Sequence, residues 1–149
     1  MRMNKQIVVM DWIKEKPRFG SFLKLTLGSD ERRILRGKKL TDCDREIILQ
    51  LPRKGKLNDG DILSTNKSNF YVEIIAKTEN LIAISSKSKI ELIKTAYHLG
   101  NRHVELEIEE DILLTKSDYT IENMLKNFNV EIVNTQKKFF PEKGAHSHE

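Results

Sequence analysis

The sequence predicts an α+β protein: an N-terminal small all-β domain, then a domain of β-α-β-β-α-β order, then a short tail. Three observations predict it. Up to about residue 76 the chain is a series of short strand-forming runs broken by turn formers, with no helical period. From Ser88, and again from Ile121, apolar residues recur at helical spacing. Around these two stretches lie further short, β-rich runs. The predicted divisions are 1–76, 77–141 and 142–149.

In the first domain, Phe19 to Leu27 is rich in strand formers, and Leu23, Leu25 and Leu27 alternate with Lys24 and Thr26. Gly28-Ser29-Asp30 is a turn, Arg32 to Lys39 a basic strand, and Thr41 to Asp44 a polar turn before a strand from Glu46 to Leu51. Pro52 to Gly60 is loop, because Pro52, Gly55 and Asn58-Asp59-Gly60 favour turn conformations. Asp61 to Leu63 and Phe70 to Ile75 are the last strands of this domain.

In the second domain Leu81 to Ile84 is a short apolar strand. Ser88 followed by Glu91 forms a capping box, which satisfies amides that the first helical turn leaves open. Ile90, Ile93, Ala96 and Tyr97 mark the helix, and Gly100 is its expected stop. Val104, Leu106 and Ile108 alternate with Glu105, Glu107 and Glu109, a strand expected to bury one face and solvate an acidic one. Ile112 to Leu114 is a strand, Ile121, Met124, Leu125 and Phe128 mark an amphipathic helix, and Val130 to Val133 is the final strand. This order is the ferredoxin-like arrangement. Residues from about Glu142 read as a flexible tail.

Composition narrows the function. Of 149 residues 38% are hydrophobic and 32% charged, which suits a soluble globular protein. No apolar run approaches the roughly 18 residues of a membrane span, and Ile7 to Met10 is too short for a secretory leader. The single cysteine, Cys43, excludes an internal disulfide framework and a cysteine-based zinc site, so a reducing cytoplasm is expected. Residues 1–76 carry 16 Lys/Arg against 10 Asp/Glu, whereas residues 77–149 carry 10 against 12, so the two parts present different surfaces. The basic residues form no dense block of the kind that binds nucleic acid. There is no Walker phosphate loop and no nucleophile elbow, and no histidine stands near Cys43 in sequence, so an enzyme is not expected.

The four histidines are the informative residues. None occurs in the first 97 positions; His98 and His103 flank Gly100, and His146 and His148 lie in the last four residues. His103, three residues past the glycine at the start of a strand, suits either a packing role or a metal ligand. One imidazole is a poor site by itself, but a two-fold dimer doubles the count. His98 lies within the helix, and its spacing to His103 does not make a local chelating pair. His146 and His148 are two apart, so in extended chain both imidazoles face one side and can grip one ion. They are equally compatible with a tag remnant, although Gly-Ala-His-Ser-His-Glu is not an uninterrupted histidine repeat. Imidazole donors without thiolate suit Ni²⁺, Cu²⁺ and Zn²⁺, and binding through neutral imidazole weakens in acid.

Three stretches in order carry a resemblance. Ala96-Tyr-His-Leu-Gly-Asn-Arg-His103 precedes an alternating strand. In the first half Arg32-Arg33 and Arg36 are followed by Asp42-Cys-Asp-Arg-Glu46, Leu49-Gln-Leu-Pro-Arg53 and Leu57-Asn-Asp-Gly-Asp-Ile-Leu63. The tail bears histidines. Over roughly residues 20–149 the chain resembles the UreE family of urease accessory nickel metallochaperones. The resemblance implies an N-terminal partner-binding domain and a ferredoxin-like domain that dimerises and binds metal. It implies a homodimer in which His103 meets its symmetry mate, with His146 and His148 completing or feeding the site. Nickel would pass to the urease maturation GTPase UreG and on to the urease apoprotein.

Some positions depart from the family pattern. Lys116 to Tyr119 lacks the histidines some relatives carry there. Asp44 replaces a common turn glycine, which Asp tolerates in left-handed backbone. Glu105 stands where proline is frequent. The resulting expectation is a cytoplasmic, non-catalytic homodimeric nickel carrier, to which Zn²⁺ or Cu²⁺ could also bind, with no nucleic-acid or membrane partner. The rivals are a small RNA-binding or ribosome-maturation protein, which would use the basic half and the ferredoxin-like sheet, and a purely structural adaptor.

Overall fold

The computed structural model describes residues 6–144. They form two compact units, one extending to Lys77 and one beginning at Thr78. The fold is α+β, with both helices in the second unit.

The first unit is a six-stranded sheet of β1 (Ile7–Ile13), β2 (Ser21–Leu27), β3 (Arg36–Leu40), β4 (Glu46–Gln50), β5 (Ile62–Thr65) and β6 (Phe70–Ala76), in the order β2-β6-β5-β1-β4-β3. β1 lies parallel to β4 and β2 parallel to β6; the other neighbours are antiparallel. The alternating leucines do what their spacing predicts: Leu25 and Leu27 are buried beside Ile47, Leu49, Val72 and Ile74. β1 was not expected. Its residues Ile7 and Val9 are buried at the centre of the sheet, and only β-branched content marks the run locally.

The expected basic strand from Arg32 to Lys39 is corrected. Glu31–Arg33 is a turn of 3-10 helix, Arg32 is buried, and strand begins only at Arg36. Burial removes Arg32 from the basic surface and lets its carbonyl accept the Leu57 N–H at 2.7 Å, fastening the long loop. The turn at 41–44 forms as expected. Asp44 is left-handed (φ 62°), its N–H donates to the Thr41 carbonyl, and Asp42 accepts from both the backbone and hydroxyl of Thr26. Cys43 is exposed in that turn, its sulfur 3.4 Å from the Thr41 hydroxyl.

The second unit contains β7 (Thr78–Ser85), α1 (Lys89–Asn101), β8 (Glu107–Ile108), β9 (Leu113–Lys116), α2 (Tyr119–Leu125) and β10 (Glu131–Lys138). Its antiparallel sheet has the order β10-β7-β9-β8. Ser88 caps α1, accepting the Glu91 N–H, and Asp118 caps α2, accepting the Ile121 N–H. The reciprocal half of the Ser88 box is absent, because the Ser88 N–H donates to Ser86 Oγ instead. One sheet face carries Ile82, Ile84 and Leu113, packed with Leu99 of α1 and Leu125 of α2; Ile121 and Met124 pack there as their spacing predicts, whereas Phe128, expected on the same helix, packs there from beyond its end at Leu125.

The apolar set that marks α1 is corrected in part, since only Ala96 of it packs on the core. Leu92, Ala96 and Leu99 face the core, together with buried Thr95, whose hydroxyl donates to the Glu91 carbonyl. Ile90, Ile93 and Tyr97 form a second apolar stripe, and it is exposed: Ile93 by 63% and Tyr97 by 67%. A helix with two apolar stripes has one correct packing but two candidate faces in its sequence.

β10 is also longer than expected, and the chain beyond it is structural. In β7 successive residues alternate sides, so Leu81 and Ala83 lie opposite Ile82 and Ile84. On that second face Phe139, 0% exposed, packs against Leu81 and Leu114. The chain thus crosses from one edge strand of the sheet, β10, to the other, β8. There the Phe140 N–H donates to Glu107 Oε1 at 2.8 Å and the Glu142 N–H donates to the Leu106 carbonyl at 2.6 Å.

Candidate metal site at a helix end

His103 stands at the end of α1, in an unusual conformation. The expectation that Gly100 stops the helix is corrected: Gly100 lies within the last turn, and Arg102 is the C-cap. The first left-handed residue is His103, at φ 59°. Its N–H donates to the Gly100 carbonyl and the Val104 N–H to the Leu99 carbonyl, both at 3.0 Å. These are the paired bonds of a Schellman end, and Val104 packs in the same cluster as Leu99, as that motif favours. Glycine usually fills this position, because a side chain in left-handed backbone costs roughly 1–2 kcal/mol. Here the position carries an exposed imidazole.

His98 is exposed one turn earlier, its ring 5.3 Å from the rings of both Tyr97 and Phe128. His146 and His148 lie outside the described residues. Among the described residues no group of three or more His, Cys, Asp or Glu is gathered closely enough to hold a metal ion. A site on His103 therefore needs donors from elsewhere.

The acidic run after His103 is not the plain solvated face expected from alternation. Only Glu107–Ile108 is strand, and Glu105, Glu107 and Glu109 are all half-buried. Glu107 accepts the Phe140 N–H, and Glu109 pairs with Lys137 of β10 at 3.5 Å. Burial raises the Glu107 carboxyl above its ordinary range; the Phe140 N–H and Lys137 oppose the rise, and neighbouring Glu109 adds to it.

The folded chain therefore holds this proton more tightly than the unfolded one. The contribution is fully present below the ordinary carboxylate range and is lost as pH rises through the raised value. Glu107→Gln, which cannot ionise, should be more stable than the parent near neutral pH, with the advantage vanishing in acid. Urea unfolding at both pH values checks this, and an advantage that grows in acid contradicts it.

Fold and site together define a two-unit α+β protein that presents one imidazole from a strained helix end. Residues 79–149 match the family model described as UreE urease accessory protein, C-terminal domain. A urease accessory protein UreE of Prochlorococcus marinus strain MIT 9215 is 89% identical over 149 residues, 100% of both chains. One from Parasynechococcus marenigrum strain WH8102 is 39% identical over 145 residues, 97% of each chain. The chain belongs to the UreE family of urease accessory proteins, and its role lies in urease maturation. No helix among the described residues is long and apolar enough to cross a membrane.

Sequence reasoning singled out His103 but missed its surroundings. The exposed stripe of Ile90, Ile93 and Tyr97 was visible only as helical periodicity. Nothing local in the sequence links Glu107 to Phe140, 33 residues away.

Proposed function

We propose that this chain is a homodimeric nickel carrier of the cytoplasm. Its His103 and the same residue of a second copy bind Ni²⁺, His146 and His148 supply further donors, and the ion is handed to the urease maturation GTPase and the urease apoprotein. The metal-binding unit is the ferredoxin-like one, a reading supported by its strand order and two helices. Residues 1–76 serve as the partner-binding domain. Nickel is cargo here; Zn²⁺ and Cu²⁺ suit the same imidazole donors.

One observation carries the reading: an exposed histidine in left-handed backbone, at the helix end where glycine would be less strained. Strain retained at one residue is a mark of function. The exposed Ile90, Ile93 and Tyr97 on the same helix support a second copy of this chain as the source of the missing donors. A symmetric contact through that helix would bring two His103 residues toward one axis. The RNA-binding alternative is disfavoured, because the sheet face it would use is occupied by Phe139.

Calorimetric titration with nickel chloride tests the proposal through two substitutions. His103→Ala should weaken binding by about tenfold or more, the scale of losing a first ligand or its immediate support. His103→Gly should lose nickel equally while stabilising the fold by about 1 kcal/mol, since glycine relieves the left-handed strain. That opposition separates ligand loss from unfolding. Full nickel affinity and stoichiometry in both variants would refute the site.

A further inference from the structure

We infer that the outer edge of β10 pairs antiparallel with β10 of a second copy, centred on Asn134, so that two four-stranded sheets become one of eight strands. The contact is separate from the one proposed through α1 and depends neither on it nor on His103.

A sheet edge is a row of amides and carbonyls with no partner strand, and proteins ordinarily blunt it with brevity, charge or a covering segment. Three of the four edges here are blunted. β8 has two residues, with the Phe140 N–H on Glu107 and the Glu142 N–H on the Leu106 carbonyl beside it. β2 is met by Asp42, whose N–H donates to the Lys24 carbonyl and whose carboxylate accepts the Thr26 N–H. β3 has five residues, among them Arg36, Lys38 and Lys39, and includes Gly37 at φ 129°. β10 is left regular. It runs for eight residues without glycine or proline and pairs with β7 in unbroken register. Among the described residues no strand lies on its other side.

The side chains of β10 fit a second β10. A two-fold axis perpendicular to a sheet keeps each face on its own side, so the pairing is centred on one residue facing its mate. With Asn134 at the centre, Val133 stands opposite Thr135 and Glu131 opposite Lys137, each pair twice. These four residues share the sheet face of Leu81 and Ala83. Glu131, Val133 and Lys137 are exposed, Val133 by 61%. Lys137 reaches Glu109 of its own copy at 3.5 Å, and an ammonium has three donors, so it can serve Glu131 of the second copy as well. Centring the pair on Val133 or Thr135 takes Glu131 away from Lys137. Exposed charge pairs are each worth little, so they set the register while the backbone ladder holds the strands together. One strand pair is a small interface, and the contact is weak enough to call for trapping.

The full chain carrying Cys43→Ser and Asn134→Cys is treated with oxidised glutathione, and covalent dimer is followed in time. A disulfide needs Cα atoms within about 7 Å, which opposed residues of paired strands satisfy. Gln136→Cys in the same Cys43→Ser chain sets the two positions about 13 Å apart along the strands and should cross-link at least about tenfold more slowly. Adding Glu131→Lys or Lys137→Glu to the Asn134→Cys chain should slow trapping about tenfold, because like charges then stand opposite each other twice. An equimolar mixture of these two chains should regain the parent rate as mixed dimer, identified by mass, since lysine again faces glutamate at both positions. A merely structural effect of either substitution would persist in the mixture. Equal cross-linking through positions 134 and 136, charge variants as fast as their parent, or a mixture no faster than its components overturns the inference.

Discussion

Phe139→Ala should destabilise the second unit by about 3–5 kcal/mol, the usual loss for truncating a fully buried aromatic. The ring is 0% exposed and forms the centre of the small cluster with Leu81 and Leu114. Its removal leaves a cavity on a sheet face that has few other apolar residues to collapse into it. It also removes the first fastening of the segment that continues to Glu142. For a unit of this size the midpoint of thermal unfolding should fall by at least about 12 °C. Phe139→Leu, which keeps much of the volume, should lose less. Calorimetric melting of the two variants checks the order, and a loss below about 1 kcal/mol in Phe139→Ala would show that the crossing segment lies outside the cooperative core.

The second large effect concerns the association proposed through α1. In that proposed dimer, Ile93→Glu should raise the dissociation constant about a hundredfold, equivalent to about 3 kcal/mol, with little change in the stability of the unit itself. Ile93 is 63% exposed and lies between Ile90 and Tyr97 on the outer stripe of α1, so the substitution disturbs no described core cluster. An exposed site away from core and caps ordinarily tolerates change within about 0.5 kcal/mol. In a symmetric contact the same carboxylate is introduced twice, and each copy loses its hydration on an apolar surface. Sedimentation at several concentrations measures the constant. A variant that stays dimeric at the parent's concentrations would remove α1 as the contact. If it became monomeric and bound nickel as well as the parent, His103 would not need its mate.

Much of the fold was legible because its signals are local. Leu23, Leu25 and Leu27 alternate because β2 has one buried face, and Ser88 caps a helix because its oxygen reaches an amide three residues on. Asp44 takes the left-handed turn position that its short side chain allows. The candidate site was half legible. Scarcity of histidine drew attention to His103, but Gly100 was the wrong stop, since glycine is permitted, not required, to end a helix. Which residue turns left-handed was decided by where Leu99 and Val104 both reach the core.

The misreadings have a common cause. Arg32 looked like part of a basic strand, but the fold buries it in a 3-10 turn. Ile90, Ile93, Ala96 and Tyr97 marked the helix by their spacing, yet of these only Ala96 packs on the core, beside Leu92 and Leu99. Each local pattern allowed two arrangements, and contacts distant in sequence chose one.

By itself, then, the sequence determined the α+β class, most strands, the start of the first helix, the family and the histidine worth watching. Periodicity, caps and turns act within a few residues, so they can be read without the fold. Only the tertiary structure decided which stripe of α1 stays open, that His103 bears the strain of the helix end, and that Phe139 carries the chain back to Glu107. Those outcomes depend on packing and hydrogen bonds between residues far apart in the chain, whose pairing no local pattern encodes.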